Sequence, residues 1–134
     1  SVGKLRTKGY INAISNTQDT IIIEGSEEHI EKELSSLIAK KNIDAIMALD
    51  QESSLAAFRI GKKKEVLNDK TIAIIGYANT VISEHLTPSL TTIDQHGKHF
   101  GVTTAQLMLK RLENPDDKPE SVIINSTVQK RMTS

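Results

Sequence analysis

The chain has no cysteine, no long apolar run and no excess of either charge. Without cysteine, disulfide frameworks and cysteine-based zinc sites are excluded, and the composition agrees with a cytoplasmic protein. Seventeen basic and seventeen acidic side chains cancel, so no overall field would draw this chain to nucleic acid or to an anionic membrane. The apolar runs are too short to span a bilayer, and no signal-peptide pattern opens the sequence. We therefore predict one domain of ordinary size that makes no contact with a membrane.

The motifs of common catalytic, nucleotide and metal sites are missing as well. Neither glycine-rich nucleotide-binding pattern occurs, and no nucleophile motif for acyl transfer is present. His96 and His99 are three residues apart near the predicted start of a helix, where they could share one face. A metal site there would need further ligands, so surface or capping roles are favoured for both histidines. We predict no cofactor, no metal and no enzymatic activity.

The most informative stretch spans residues 71–95 and opens with the apolar run Ile-Ala-Ile-Ile, which ends at Gly76. A short run that is rich in isoleucine and closed by glycine is typical of a strand buried on both faces of a parallel sheet. Ligands of open α/β sheets bind at the carboxyl ends of such strands. Residues 76–80 are therefore the first place to expect a site.

The spacing of apolar residues elsewhere predicts alternating helices and strands. We predict helices over residues 4–16, 26–38, 55–60 and 95–112, and strands over 20–24, 44–49, 72–75 and 121–125, with a short β-branched segment at 91–93. Gly61 is expected to end the third helix, and residues 129–134 are expected to form a polar tail. The alternation predicts an α/β fold with a doubly wound parallel sheet.

Five short motifs occur in the same order as in a known family. They are LRTKGY at 5–10, DAIMALD at 44–50, IIGYAN at 74–79, LTPSLTTIDQ at 86–95 and VQKR at 128–131. With these motifs the chain resembles, almost from end to end, the effector-binding part of the lactose-repressor/galactose-repressor (LacI/GalR) family of bacterial transcription regulators. Each motif alone is weak, whereas five in order are specific.

The resemblance implies a type I periplasmic-binding-protein-like fold with two α/β lobes. It implies that residues 1–91 form a second-lobe portion, that residues 92–119 hold the crossing segment and a first-lobe helix, and that residues 120–134 return to the second lobe as a final strand and tail. The chain would then be a fragment, mostly of the second lobe. The helix-turn-helix headpiece and most of the first lobe would lie outside it.

The resemblance also implies a ligand site in the cleft between the lobes. Arg6 matches an arginine that holds ligand hydroxyls or carboxylates through its fixed fork of donors, and Gln95 matches a glutamine at the lobe crossing that also reaches the ligand. Asp50, Tyr77 and Asn79 follow two predicted strands and complete the predicted ligand-binding set. A salt bridge on the helix surface is the alternative role for Arg6.

Two positions depart from the family pattern. Leu49 and Ala78 stand where polar side chains usually contact sugar hydroxyls, and neither replacement can hydrogen-bond through its side chain. Because each unpartnered hydroxyl costs about 1–3 kcal/mol, two losses would weaken sugar binding several-hundredfold or more. The effector is then less hydroxylated than a simple sugar, or other residues supply the bonds, or the domain answers to a protein partner. Asn79 could replace the missing acid if the loop is shifted by one residue.

The motif series predicts a cytoplasmic LacI-type regulator that senses a small molecule, a sugar or sugar derivative. Effector binding would change lobe closure and so control operator DNA binding by the headpiece. A homodimer is expected, with residues 51–60 and 77–86 as candidate contacts, although their apolar side chains could equally be core. The alternative function is that of a periplasmic sugar-binding protein of a transport system, which shares the two-lobed fold.

Overall fold

The computed structural model describes residues 2–14, 19–40, 43–67, 69, 71–77 and 79–134. Within these ranges the helices are α1 (Val2–Ala13), α2 (Glu27–Lys40), α3 (Gln51–Lys63), α4 (Val81–His85) and α5 (Gly97–Glu113). The strands are β1 (Ala45–Met47), β2 (Ala73–Tyr77), β3 (Thr91–Asp94) and β4 (Thr127–Gln129). In this part of the chain, every helix is too short or too polar to cross a lipid bilayer.

The four strands form one sheet in the order β1-β2-β3-β4. β1, β2 and β3 are parallel to one another, with Ile46 opposite Ile74 in the first pair. β4 runs antiparallel to β3 and places Val128 opposite Ile93. The predicted α/β fold with a mainly parallel sheet is thus confirmed. The short segment predicted at 91–93 is a full strand inside this sheet.

The core lies between the sheet and two helices. Ile74 in β2 and Leu90 just before β3 are fully buried. The third helix contributes Phe58 and Ile60 to the same apolar cluster, and the second helix adds Leu34. β2 buries one face completely and the other only in part, so the prediction of a strand buried on both faces holds for one face.

Gly61 lies inside α3, and the predicted end of the helix at this residue is wrong. A Cβ atom at Gly61 would lie 2.8 Å from Ile74 Cδ1 and 3.0 Å from Leu67 Cγ. Glycine therefore lets the helix approach β2 closely, while the helix itself continues to Lys63. A glycine inside a helix costs about 1 kcal/mol relative to alanine, and the close packing offsets that loss.

Two predicted strands are wrong. Residues 20–24 are irregular, and Ile21 and Ile22 leave about half of their surface exposed. Residues 121–125 are irregular as well, and Ile123 is 88% exposed. β-Branched composition favours an extended chain, but a strand also needs a neighbour with free backbone groups. The position beside β3 is occupied by β4, a few residues further along the chain than predicted.

Residues 129–134 pack against the sheet rather than forming a polar tail, which corrects that prediction: Gln129 is the last residue of β4, and the irregular residues after it hydrogen-bond to β2 and β3. Thr133 is buried, and its carbonyl accepts a hydrogen bond from Ile74 N at 2.7 Å. Its hydroxyl accepts from Thr91 N at 2.9 Å and donates to the carbonyl of Ile74 at 2.7 Å. Backbone groups buried in a core must be hydrogen-bonded, and Thr133 satisfies three of them.

The helix predicted over 95–112 is confirmed as α5, but it packs differently from the others. None of its residues is buried, and Phe100, Met108 and Leu112 each leave more than 60% of their surface exposed. In the described structure the apolar side chains of α5 are therefore exposed to solvent.

At the end of α5, Glu120 accepts a hydrogen bond from the Lys110 ammonium, and this bond raises the pKa of that lysine.

Candidate functional site

The three parallel strands end at the same edge of the sheet, and each leads through a short loop into a helix. β1 leads to Asp50 and α3, β2 leads to Asn79 and α4, and β3 leads to Gln95 and α5. Helix α4 was not predicted, because five residues are too few for apolar spacing to indicate a helix. The edge where these loops meet is where open α/β sheets bind their ligands.

Arg6 reaches this edge from α1 and stacks on Tyr77. The guanidinium carbon lies 3.8 Å from the centre of the Tyr77 ring, and Nη1 donates a hydrogen bond to the carbonyl of Leu49 at 2.6 Å. Both side chains are half-buried. A cation over an aromatic face gains roughly 0.5–2 kcal/mol, depending on its exposure. The structure thus brings together Arg6 and Tyr77, two residues of the predicted set.

Asp50 caps the N-terminus of α3. Its Oδ1 accepts hydrogen bonds from Ser53 N and from the Ser53 hydroxyl, both at 2.7 Å. In return, Asp50 N donates to Ser53 Oγ at 3.2 Å. An N-cap of this kind is worth about 1 kcal/mol, so the aspartate has a structural role that its place at a strand end did not indicate. Its ligand-binding role remains a prediction.

Asn79 ties the end of β2 to its neighbours through both atoms of its amide. Nδ2 donates to Asp94 Oδ2 at 3.2 Å, while Oδ1 accepts from Thr92 Oγ1 at 3.0 Å and from Arg131 Nη2 at 2.7 Å. The side-chain oxygen therefore already receives two hydrogen bonds. As with the aspartate cap, its predicted contact with a ligand remains a prediction.

Arg131 lies at the centre of this hydrogen-bond network, and only 13% of its side chain is exposed. Besides Asn79, its guanidinium donates to the carbonyl of Leu90 and to Thr92 Oγ1, both at 2.9 Å, and to Glu84 Oε1 at 3.1 Å. In the sequence, this arginine is only the last residue of the motif VQKR at 128–131. Nothing local to residues 128–131 indicated that the side chain would contact the loop after β2, helix α4 and strand β3.

The loop after β3 turns sharply at His96, whose backbone is left-handed with φ of 53°. Asp94 Oδ1 accepts a hydrogen bond from His96 N at 2.7 Å, and the imidazole Nε2 lies 3.1 Å from Thr127 Oγ1. His96 thus occupies the N-cap position of α5, but its side chain makes no capping hydrogen bond there. Among the described residues, no three histidine, aspartate or glutamate side chains converge as metal ligands would.

Gln95 is exposed beside this turn, and Ala78 lies outside the described residues. An open depression lies at the start of α5. It is lined by Asn79, Asp94, His96, Gly97, Lys98, His99 and Val102. Of the five predicted ligand residues, Asn79 lines this depression and Arg6 and Tyr77 form the stack, whereas Asp50 and Gln95 belong to neither.

Comparisons with known proteins agree with this geometry. The model of the periplasmic binding protein-like domain family matches residues 3–134. The HTH-type transcriptional repressor PurR of Aliivibrio fischeri is 25% identical over 148 residues, which cover 96% of this chain and 43% of that protein.

Two solved structures have the same fold. A LacI family transcriptional regulator from Enterococcus faecalis V583 with bound ribose is 26% identical at a TM-score of 0.82, covering 98% of this chain and 49% of that one. A dimeric Lac repressor with an 11-residue C-terminal deletion is 21% identical at a TM-score of 0.82, covering 100% and 51%. The chain therefore spans about half the length, or less, of these proteins.

Proposed function

Because this chain belongs to the periplasmic binding protein-like domain family, we propose that it forms part of the effector-binding and dimerisation region of a bacterial LacI-type transcription regulator. In this proposal the complete protein is cytoplasmic and senses a small molecule, a sugar or sugar derivative, in a cleft between two lobes. Operator DNA is bound by a helix-turn-helix headpiece that lies outside this chain. The near end-to-end family match carries the proposal.

The geometry of the strand ends supports a cleft in this position. Arg6 and Tyr77 form a half-buried pair at the ends of β1 and β2, with guanidinium donors beyond the one that Leu49 uses. A polar group held by packing at the carboxyl edge of a parallel sheet is suited to orient a ligand. A ribose-bound regulator of the same fold supports a sugar-related effector.

The proposed mechanism is a shift between two states of lobe closure. An effector that binds one state more tightly raises the population of that state by its difference in affinity for the two. The two headpieces of a dimer then change their spacing, and operator affinity changes with it. Hydrogen bonds from Arg131 to Asn79 and to Thr92 tie the loop after β2 to β3.

The operator prediction is tested on the complete gene product. We expect it to select one short palindromic sequence from fragments of its own genome, and we expect a sugar-related compound to change that affinity by about 5- to 150-fold. Fluorescence anisotropy with labelled DNA measures both quantities. Ligand binding without any DNA binding would instead identify a periplasmic binding protein of a transport system.

The dimer prediction concerns α4. Most apolar residues of α3, from the first of the two candidate contact segments, lie in the core, whereas Val81 and Ile82 of α4 are 75% and 54% exposed. We expect Val81→Glu together with Ile82→Glu to raise the dissociation constant of the dimer at least tenfold, because two charges would be buried unpaired. Sedimentation velocity over a dilution series measures the effect.

The matched control for α4 is Val2→Glu, which introduces the same charge at a valine that is 60% exposed on α1. It should leave the dimer unchanged. An unchanged dimer in the double variant would place the contact between subunits elsewhere.

A further inference from the structure

We infer that His96 is a positioning residue at a hinge. Its imidazole fastens the chain that leaves the sheet to the chain that returns to it, and this bond sets the equilibrium between two arrangements of the lobes. The inference rests on the proposed function, because a hinge requires two lobes that change closure. It names His96 and Thr127 as the pair of side chains that regulates this change.

The chain leaves the sheet after β3 and returns to it at β4. The two strands are antiparallel, and Asp94 opposite Thr127 is the pair nearest to α5. Between the strands lie α5, none of whose residues is buried, and residues 114–126, most of which are exposed. In the proposed two-lobed protein α5 belongs to the first lobe, so the two connecting segments run side by side where one lobe meets the other.

His96 adds a side-chain bond one step beyond this last strand pair. Its Nε2 lies 3.1 Å from Thr127 Oγ1, and 33% of the His96 side chain is exposed. The same hydroxyl also accepts a longer hydrogen bond, at 3.5 Å, from the side-chain amide of Gln129. The backbone pairs of β3 and β4 hold the sheet itself, whereas the bond between His96 and Thr127 holds together the two segments that connect it to α5.

The backbone at His96 is left-handed, with φ of 53° and ψ of 51°, a conformation that residues other than glycine seldom adopt. Asp94 holds the turn, because its Oδ1 accepts from His96 N at 2.7 Å while its Oδ2 accepts from Asn79 Nδ2 at 3.2 Å. The imidazole Nδ1 lies 3.7 Å from Asp94 Oδ2, which is too far for a hydrogen bond. Uncommon backbone conformations persist where the surroundings fix them, and they are frequent in switch regions.

The bond between His96 and Thr127 exists in the position of α5 that the structure shows. An interaction that is present in one arrangement and absent from another shifts the equilibrium toward the first. One hydrogen bond between side chains corresponds to a change of about 2- to 10-fold in the ratio of the two arrangements. Removing the bond should therefore shift the population by that factor toward the other arrangement.

The test measures the distance between α2 and α5 in the complete gene product by double electron–electron resonance. Spin labels are attached at Lys32→Cys and Glu113→Cys, both exposed positions, after any cysteine outside this chain has been replaced by serine. His96→Asn keeps a residue that tolerates the left-handed backbone but has a side chain too short for the same bond. Thr127→Val removes the hydroxyl at nearly constant shape. We expect each variant to lower the ratio of the main wild-type distance to a second distance by about 2- to 10-fold.

Further variants separate a hinge role from a merely structural one. Thr127→Ser keeps the hydroxyl and should retain the wild-type distances. His99→Ala removes an exposed imidazole three residues further along the chain and should also change nothing. The double variant of His96→Asn and Thr127→Val should shift the distances no further than either single variant, because both changes remove the same bond.

Unchanged distances in His96→Asn or in Thr127→Val would overturn the inference, and so would an equal shift in Thr127→Ser and Thr127→Val. Operator binding by the same proteins is measured separately. Its absence in the wild type would reject the regulator and leave the distances valid. Unchanged distances with intact operator binding would instead reject the hinge role of His96 and leave the regulator intact.

Discussion

Replacing Ile74 with alanine is expected to lower the free energy of unfolding by about 4 kcal/mol. This residue lies in β2 with no exposed surface, inside the apolar cluster that joins the sheet to α2 and α3. Truncating a buried isoleucine removes its transfer free energy and leaves a cavity, and such changes cost about 2–5 kcal/mol. The upper part of that range applies because helix and sheet enclose the side chain on both sides.

Urea denaturation followed by circular dichroism measures the loss for Ile74→Ala. Ile123→Ala is the matched control, because it makes the same chemical change at a residue that is 88% exposed. The control should change stability by less than about 0.5 kcal/mol. Similar losses in the two variants would contradict the placement of β2 at the centre of the core.

A substitution at Gly61 independently tests the contact between α3 and Ile74 of β2. Gly61→Ala alone should be destabilising by roughly 1–3 kcal/mol, because the new Cβ would lie 2.8 Å from Ile74 Cδ1. In the Ile74→Ala background that Cδ1 atom is gone and only the close contact with Leu67 remains, so the added methyl group should cost less than it does in the wild type. A double-mutant cycle with additive effects would show that the two residues are not in contact.

Replacing Arg131 with methionine is expected to lower the free energy of unfolding by about 2–4 kcal/mol. Methionine keeps most of the apolar stem but removes donors to the Leu90 carbonyl, Thr92 and Asn79. Hydrogen bonds to a charged group contribute about 1.5–3 kcal/mol each, and acceptors left unpaired inside the protein add a penalty. Because these bonds share one side chain, their contributions are not additive.

Thermal unfolding of the Arg131→Met variant is compared with that of Lys130→Met, its exposed neighbour, which should be near wild type. Glu84→Gln tests the outer edge of the network and should cost less than about 1 kcal/mol, because that carboxylate is 58% exposed. If Arg131→Met matched Lys130→Met, the network would be dispensable for stability.

The parts of the fold that follow from local pattern could be predicted from the sequence. Residues 26–38 and 95–112 have clear helical spacing, and both are helices in the structure. The apolar run at 72–75 is short, rich in isoleucine and followed by glycine, which favours a strand over a buried helix segment, and most of it lies in β2. Strands at 20–24 and 121–125 were wrong because a strand depends on a partner elsewhere in the chain, which composition does not identify.

In the candidate site, too, some features follow from sequence motifs and others depend on residues far apart in the chain. Family motifs placed Arg6 and Tyr77 in one set, and the structure brings them together. No pattern could indicate that Asn79 would bind Arg131, because the two are 52 residues apart in sequence. The sequence likewise does not distinguish a strand-end carboxylate that caps a helix, as Asp50 does, from one that binds a ligand.

The hydrogen bonds of Thr133 have a consequence for the order of folding during synthesis. The chain emerges from the ribosome with its N-terminus first. Strands β1, β2 and β3 therefore emerge before Thr133, which accepts the hydrogen bonds of the N–H groups of Ile74 and Thr91. A nascent chain that ends before residue 127 would therefore hold an incomplete sheet with an open edge, which is prone to pairing with other chains. Productive folding of this region has to wait until its last eight residues are free.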